Sequence, residues 1–137
     1  QGAIEVLGKI GDEQAVETLL DFVDSSNPPL QKVTIRALGE IGSKEASQEI
    51  ANALADDAQI VRSVAARALG LIGDTRAIEP LSERLADETE ADEVRASAAW
   101  ALVQIGTERA LQAASEYDAD RVYTVQREAE IAREAVT

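Results

Sequence analysis

The chain has 137 residues, 45% apolar but only 3% aromatic, with 26 acids against 13 bases and a net charge of −13. Cysteine and histidine are both absent, which removes disulfides, thiol nucleophiles, cysteine metal sites and the commonest general base. Such a charge repels phosphate backbones, so no nucleic-acid partner is expected, and no apolar run approaches the roughly 18 residues of a membrane span.

The first segment, residues 1–25, opens inside a helix that closes on Leu7-Gly8-Lys9-Ile10-Gly11, with Asp12 as cap of a second helix burying Ala15, Val16, Leu19 and Val23. Starting partway through a unit, at Gln1, predicts a longer or processed parent chain. Ser25-Ser26-Asn27-Pro28-Pro29 is the first linker. Residues 26–56 then repeat the pattern, with Leu38-Gly39-Glu40-Ile41-Gly42, a cap at Ser43, and Ala46, Ser47, Ile50 and Leu54 facing inward.

Residues 57–87 hold the cleanest copy. Val61, Val64, Ala65, Ala68, Leu69 and Ile72 form one stripe at helical spacing, and Asp56 and Asp57 suit the helix start by capping and by the dipole. Gly73 ends the helix in the left-handed conformation that glycine enters freely. Asp74 caps the second helix, which buries Ala77, Ile78, Leu81 and Leu85, and Pro80 is expected to bend or delay it. The earlier glycine of each motif (Gly8, Gly39, Gly70) sits mid-helix, at a cost of about 1 kcal/mol against alanine, which close approach of a neighbouring helix would offset.

The linker Asp87–Asp92 carries two extra residues, so the glycine intervals run 31, 31 and 33. Asp87, Glu88, Glu90, Asp92 and Glu93 could gather oxygens for a hard cation, but they lack the alternation of a calcium loop. A solvated linker is expected, with no metal site. Residues 88–120 form the fourth copy, ending at Gly106 with Thr107 as cap and Ala110, Leu111 and Ala114 inward. Residues 121–137 keep only Val122, Val125, Ala129, Ala132 and Val136 in register, as a terminal capping helix needs.

The chain is therefore predicted to be all-α: one α-α superhelix of about four helical hairpins plus a C-terminal cap. Seven of eight glycines belong to the repeat columns, which leaves no phosphate-cradling loop.

Val61-Arg62, Ala65-Ala66, Ala68-Leu69-Gly70, Ile72-Gly73-Asp74, Ala77 and Pro80-Leu81 match the repeat V-R-x-x-A-A-x-A-L-G-x-I-G-D-x-x-A-x-x-P-L. Val94-Arg95, Ala98-Ala99, Ala101-Leu102 and Ile105-Gly106 match it again. The chain thus resembles the HEAT-repeat family, in the short form first named from phycobilisome lyases. Gln31 replaces the arginine of the V-R pair in the second copy, and Val103 replaces the first glycine in the fourth. The resemblance implies a second-helix layer on the concave side. It leaves three functions open: a protein-interaction scaffold, a lyase or chromophore-handling chaperone, or a segment of a larger solenoid.

On a helical wheel the outward positions of the second helices are Glu17 and Asp21, Gln48 and Asn52, Glu79 and Glu83, Gln112 and Glu116. They form two ladders of acids and amides suited to a basic or polar polypeptide, with a solvated face as the plainer reading. Trp100 shares a column with Arg36 and Arg67; it either anchors an interface or lays its ring on alanine-rich helices. Arg62 and Arg95 are expected to pair with linker acids such as Asp57 or Asp92. With no catalytic constellation and no cofactor motif, the leading expectation is a non-enzymatic, cytoplasmic scaffold for a protein or peptide. Many acids with only three lysines also resemble salt-adapted proteins, an ordinary acidic protein being the alternative.

Overall fold

The computed structural model describes residues 14–115 together with 131 and 134, and every described element is helical. In chain order they are α1 (Gln14–Leu20), α2 (Pro28–Ile41), α3 (Ser47–Asn52), α4 (Gln59–Ile72), α5 (Ile78–Ala86), α6 (Asp92–Ile105) and α7 (Glu108–Ser115). Short 3-10 turns lie at Lys44–Ala46, Ala53–Ala55 and Thr75–Ala77. The cap Asp12, the ladder residue Glu116 and the capping helix at 121–137 lie outside the described residues, apart from Ile131 and Glu134, which are helical and exposed.

The stops follow the glycines. Gly42, Gly73 and Gly106 have φ of 77°, 74° and 71°, and their amides donate back to the carbonyls of Leu38, Leu69 and Leu102 at 3.0–3.1 Å. The chain then turns into a capped second helix. Ser43 accepts from the Glu45 amide, Asp74 from that of Arg76 and Thr107 from that of Ala110, at 3.3, 3.0 and 3.2 Å. Asn27 likewise caps α2, accepting from the Leu30 amide, with Pro28 and Pro29 filling the first turn, where no amide donor is needed.

Two local expectations change. The residue capping α4 is Ala58, while Asp56 accepts from the Ala58 amide at 2.8 Å, one step before the helix. Pro80 falls in the first turn of α5, where its missing amide breaks no helical bond. It does not cause the delayed start either. The same 3-10 turn precedes α3, where Glu49 holds that column.

The first helices α2, α4 and α6 pack side by side in one layer, and α3, α5 and α7 back them in a second. All fifteen inward positions of the second helices are buried, from Ala15 to Ala114. The first helices are buried more widely than one stripe, although Val64, expected in the inward stripe of α4, is only half-buried and turns to the outer face. Ser63 and Ala66 join the α4 core, and α6 is buried at Val94 through Ala99 and again at Ala101 and Leu102. A helix flanked on both sides must present small residues to its neighbours, so that the backbones can approach. A Cβ on Gly39 would lie 2.9 Å from the Ala68 Cα, and one on Gly70 would lie 2.8 Å from the Ala101 Cα. Both mid-helix glycines are thus explained by the next helix in the stack. Ser63 and Ser97 share a buried hydrogen bond of 3.0 Å across the α4–α6 contact.

Candidate functional site

With the inward columns of the second helices buried, residues half a turn away must face solvent. Glu17 on α1, Asp21 just after it, Gln48 and Asn52 on α3, Glu79 and Glu83 on α5, and Gln112 on α7 are all exposed. The rows are not simple lines of independent charges. Gln48 Nε2 donates to Asn52 Oδ1 at 3.1 Å, and Glu79 is ion-paired with Arg109 of the next repeat. Arg76 makes an equivalent backward reach, its Nη2 donating to the Lys44 carbonyl at 3.2 Å while it grips Asp74. The hydrogen bond from Arg76 holds the buried Asp74 carboxyl well below the usual carboxylate range, against the opposing effect of burial. The sequence reading missed these two arginines. Their recurrence at one column, 76 and 109, was the available signal.

A second polar feature runs along the linker edge. Gln31, Arg62 and Arg95 occupy one column and all donate to backbone carbonyls at the end of the preceding second-helix segment. Gln31 Nε2 reaches the Val23 carbonyl at 2.9 Å, Arg62 Nη1 those of Asp56 and Asp57 at 2.8 and 3.0 Å, and Arg95 Nε that of Leu85 at 3.0 Å. The expected pairing of Arg62 with the Asp57 side chain is replaced by this carbonyl clamp. Arg95 is buried, with its described bond made to Leu85.

Arg62 does find an acid, but it is Glu90. Arg62 Nε and Nη2 both donate to that carboxylate, and Arg84 adds a contact at 3.2 Å. The Glu90 side chain is 3% exposed, so the acidic linker is not uniformly solvated. Burial raises the Glu90 pKa, but the Arg62 hydrogen bond, the Ala91 amide and the charges of Arg62 and Arg84 outweigh it and leave it lowered. Asp56, Asp57, Asp87 and Thr89 rim a shallow polar depression of about 300 Å³ above this pair.

Trp100 is half-buried. Its ring edge lies against Gly70, whose Cβ would come within 2.8 Å of Trp100 Cζ3, and the Arg67 guanidinium sits 4.6 Å from the ring centre. Its packing over the neighbouring helix is therefore real, and the rest of its surface stays accessible.

The sequence matches the family model for HEAT repeats over residues 1–66 and 47–133. This chain belongs to the HEAT-repeat family. No curated protein sequence matches it. Among solved structures it is similar to human deoxyhypusine hydroxylase in complex with glycerol, at 27% identity and TM-score 0.78 over 91% of this chain and 44% of that one. It is similar in fold to the complex of CpcE and CpcF of phycocyanin lyase from Nostoc sp. PCC7120, at 23% identity and TM-score 0.82 over 98% of this chain and 58% of that one. An engineered protein matches at 26% identity and TM-score 0.70, over 97% of this chain and 66% of that one. The chain thus spans about half the length of the first two.

As a HEAT-repeat array the molecule presents two chemically distinct layers: an acid- and amide-bearing second-helix face and an arginine-clamped linker edge. Among the described residues no group of three or more metal-ligating side chains comes together, and no helix is long and apolar enough to cross a membrane.

Proposed function

We propose that the chain is a non-enzymatic protein-interaction scaffold that receives a basic or polar polypeptide on its second-helix face. The carrying observation is the exposure of Glu17, Asp21, Gln48, Asn52, Glu79, Glu83 and Gln112, paired i and i+4 in each of the first three copies. A peptide crossing successive repeats would meet a pair of acceptors at each step. Packed helical repeats supply such an extended surface without a closed pocket, and acids on it would favour cationic segments and speed their encounter. The Glu79–Arg109 pair leaves Glu17, Asp21 and Glu83 as the more available anions.

Affinity purification with the wild-type chain and with Asp21→Lys/Glu83→Lys tests this reading. A reproducible basic partner that the double variant loses supports it. Absence of any partner, or capture undiminished by the charge reversal, sinks it.

A further inference from the structure

The outer face of the first helices, opposite the second-helix layer, carries a pattern that the scaffold function does not use. On α4, Ile60, Val64, Arg67 and Leu71 fall at spacings of 4, 3 and 4, on one narrow face. Leu71 is 53% exposed and Ile60 41%, with Val64 half-buried between them. This central strip is apolar except for Arg67, whose guanidinium is turned aside onto the Trp100 ring, and it is flanked by opposite charges. On the α2 side stand Lys32 and Arg36, followed one turn on by the exposed Glu40, and on the α6 side stand Asp92, Glu93 and the half-buried Trp100.

From this arrangement we infer that the face is an isologous interface with a second copy of this chain. An isologous contact needs a surface complementary to itself, because each residue meets its counterpart's neighbour across a two-fold axis. An axis along α4 sets α4 on α4 and places α2 of each copy on α6 of the other, with all helices keeping their direction. The repeat columns then stay in register across the contact. Arg36 and Trp100 share a column, as do Glu40 and Gln104, so Arg36 faces the other copy's tryptophan and Glu40 its amide. Lys32 lies within about one helical turn of the other copy's Asp92 and Glu93. That this ring accepts a guanidinium is already visible in the Arg67 stack at 4.6 Å. The Ile60, Val64 and Leu71 side chains close on themselves in the middle, which removes the most exposed large apolar side chain of the described residues from water. The cations of one flank thus meet the anions of the mirrored one, a complement that a second copy of this chain supplies by itself.

Sedimentation analysis from micromolar to millimolar chain, at about 0.15 M salt to screen the net charge, tests the inference. The wild type is expected to form a dimer. Leu71→Asp, exposed enough to leave the fold intact by circular dichroism, is expected to sediment as a monomer. Lys32→Glu and Glu93→Lys should each weaken the dimer about tenfold, since every pair occurs twice across a two-fold interface, and the two together should restore it. A chain that stays monomeric throughout overturns the inference and leaves the face to another occupant. A dimer that survives Leu71→Asp, or that the double exchange fails to restore, overturns it equally.

Discussion

Arg62 and Glu90 face each other across a repeat boundary, with Nη2–Oε1 at 2.9 Å and Nε–Oε2 at 3.0 Å, and the carboxylate is almost sealed from water. The same guanidinium holds the carbonyls of Asp56 and Asp57, so one side chain joins two linkers and the start of α4. Glu90→Gln keeps the shape but leaves Arg62 and Arg84 without their counter-charge. Breaking a fully buried pair costs about 3–5 kcal/mol. Arg62 and Arg84 keep side-chain exposures of 18% and 26%, and the water they retain should reduce the loss to about 2 kcal/mol. Urea unfolding of the variant, read as a shift in midpoint at unchanged slope, measures it.

Acid sensitivity follows from Glu90 and Asp74 together. Both carboxyls lie below their ordinary values of 4.5 and 3.8 in the folded chain. A lowered folded pKa contributes stability that is fully present above the unfolded value and lost as pH falls through the folded one. Melting temperature should therefore hold steady above about pH 5 and drop as the solution becomes more acid than 4.5. In Glu90→Gln/Asp74→Asn the acid limb should be shallower, although the variant is less stable at neutral pH. An acid limb of undiminished slope would place the sensitivity elsewhere.

The glycines divide into two kinds with different penalties. Gly70→Ala puts a methyl group 2.8 Å from the Ala101 Cα and from Trp100 Cζ3, forcing α4 and α6 apart. Despite the gain in helix propensity of about 1 kcal/mol, a net loss of about 2 kcal/mol is expected, with a changed near-ultraviolet signal from the single tryptophan. Gly73→Ala meets no atom within 4 Å but must hold φ near 74°, at about 1 kcal/mol. Thermal unfolding with tryptophan detection separates the two, because only the first should disturb Trp100.

How far the sequence speaks is visible in these same residues. Gly42, Gly73 and Gly106, the three described caps and the inward columns were all legible, because each depends on its own helix and the period displays it repeatedly. The breadth of burial on α4 and α6 was not, since Ser63, Ala66, Ala96 and Ala99 owe their burial to flanking helices that one helix's periodicity does not register. A linker acid was the right kind of partner for Arg62, but which acid, and the carbonyls that Arg62 and Arg95 also hold, were not legible, for a related reason. Carbonyls of Asp57 and Leu85 carry no mark in a sequence, and Glu90 belongs to the linker that breaks the period. Of the candidate surface, the ladder positions were readable, whereas the Glu79–Arg109 link depends on how successive repeats stack.

Thr34 offers a gain in stability. Its side chain is fully buried on α2, and its hydroxyl has no hydrogen-bond partner. The equivalent positions in the next two repeats are Ala65 and Ala98, so the stack does not require a polar group there. A buried hydroxyl left unbonded forfeits about 1–3 kcal/mol of solvation. Thr34→Val replaces it with a methyl group of similar size and should stabilise the chain by about 1 kcal/mol. Thr34→Ala also removes the hydroxyl but opens a methyl-sized void, so its effect should be near zero. Ser63→Ala supplies the contrast, because it strips Ser97 of its partner and should cost about 1 kcal/mol. Urea midpoints ordered Thr34→Val above wild type and Ser63→Ala below it would show that a buried hydroxyl here stabilises only when bonded; a destabilised Thr34→Val would mean that the hydroxyl is satisfied in solution.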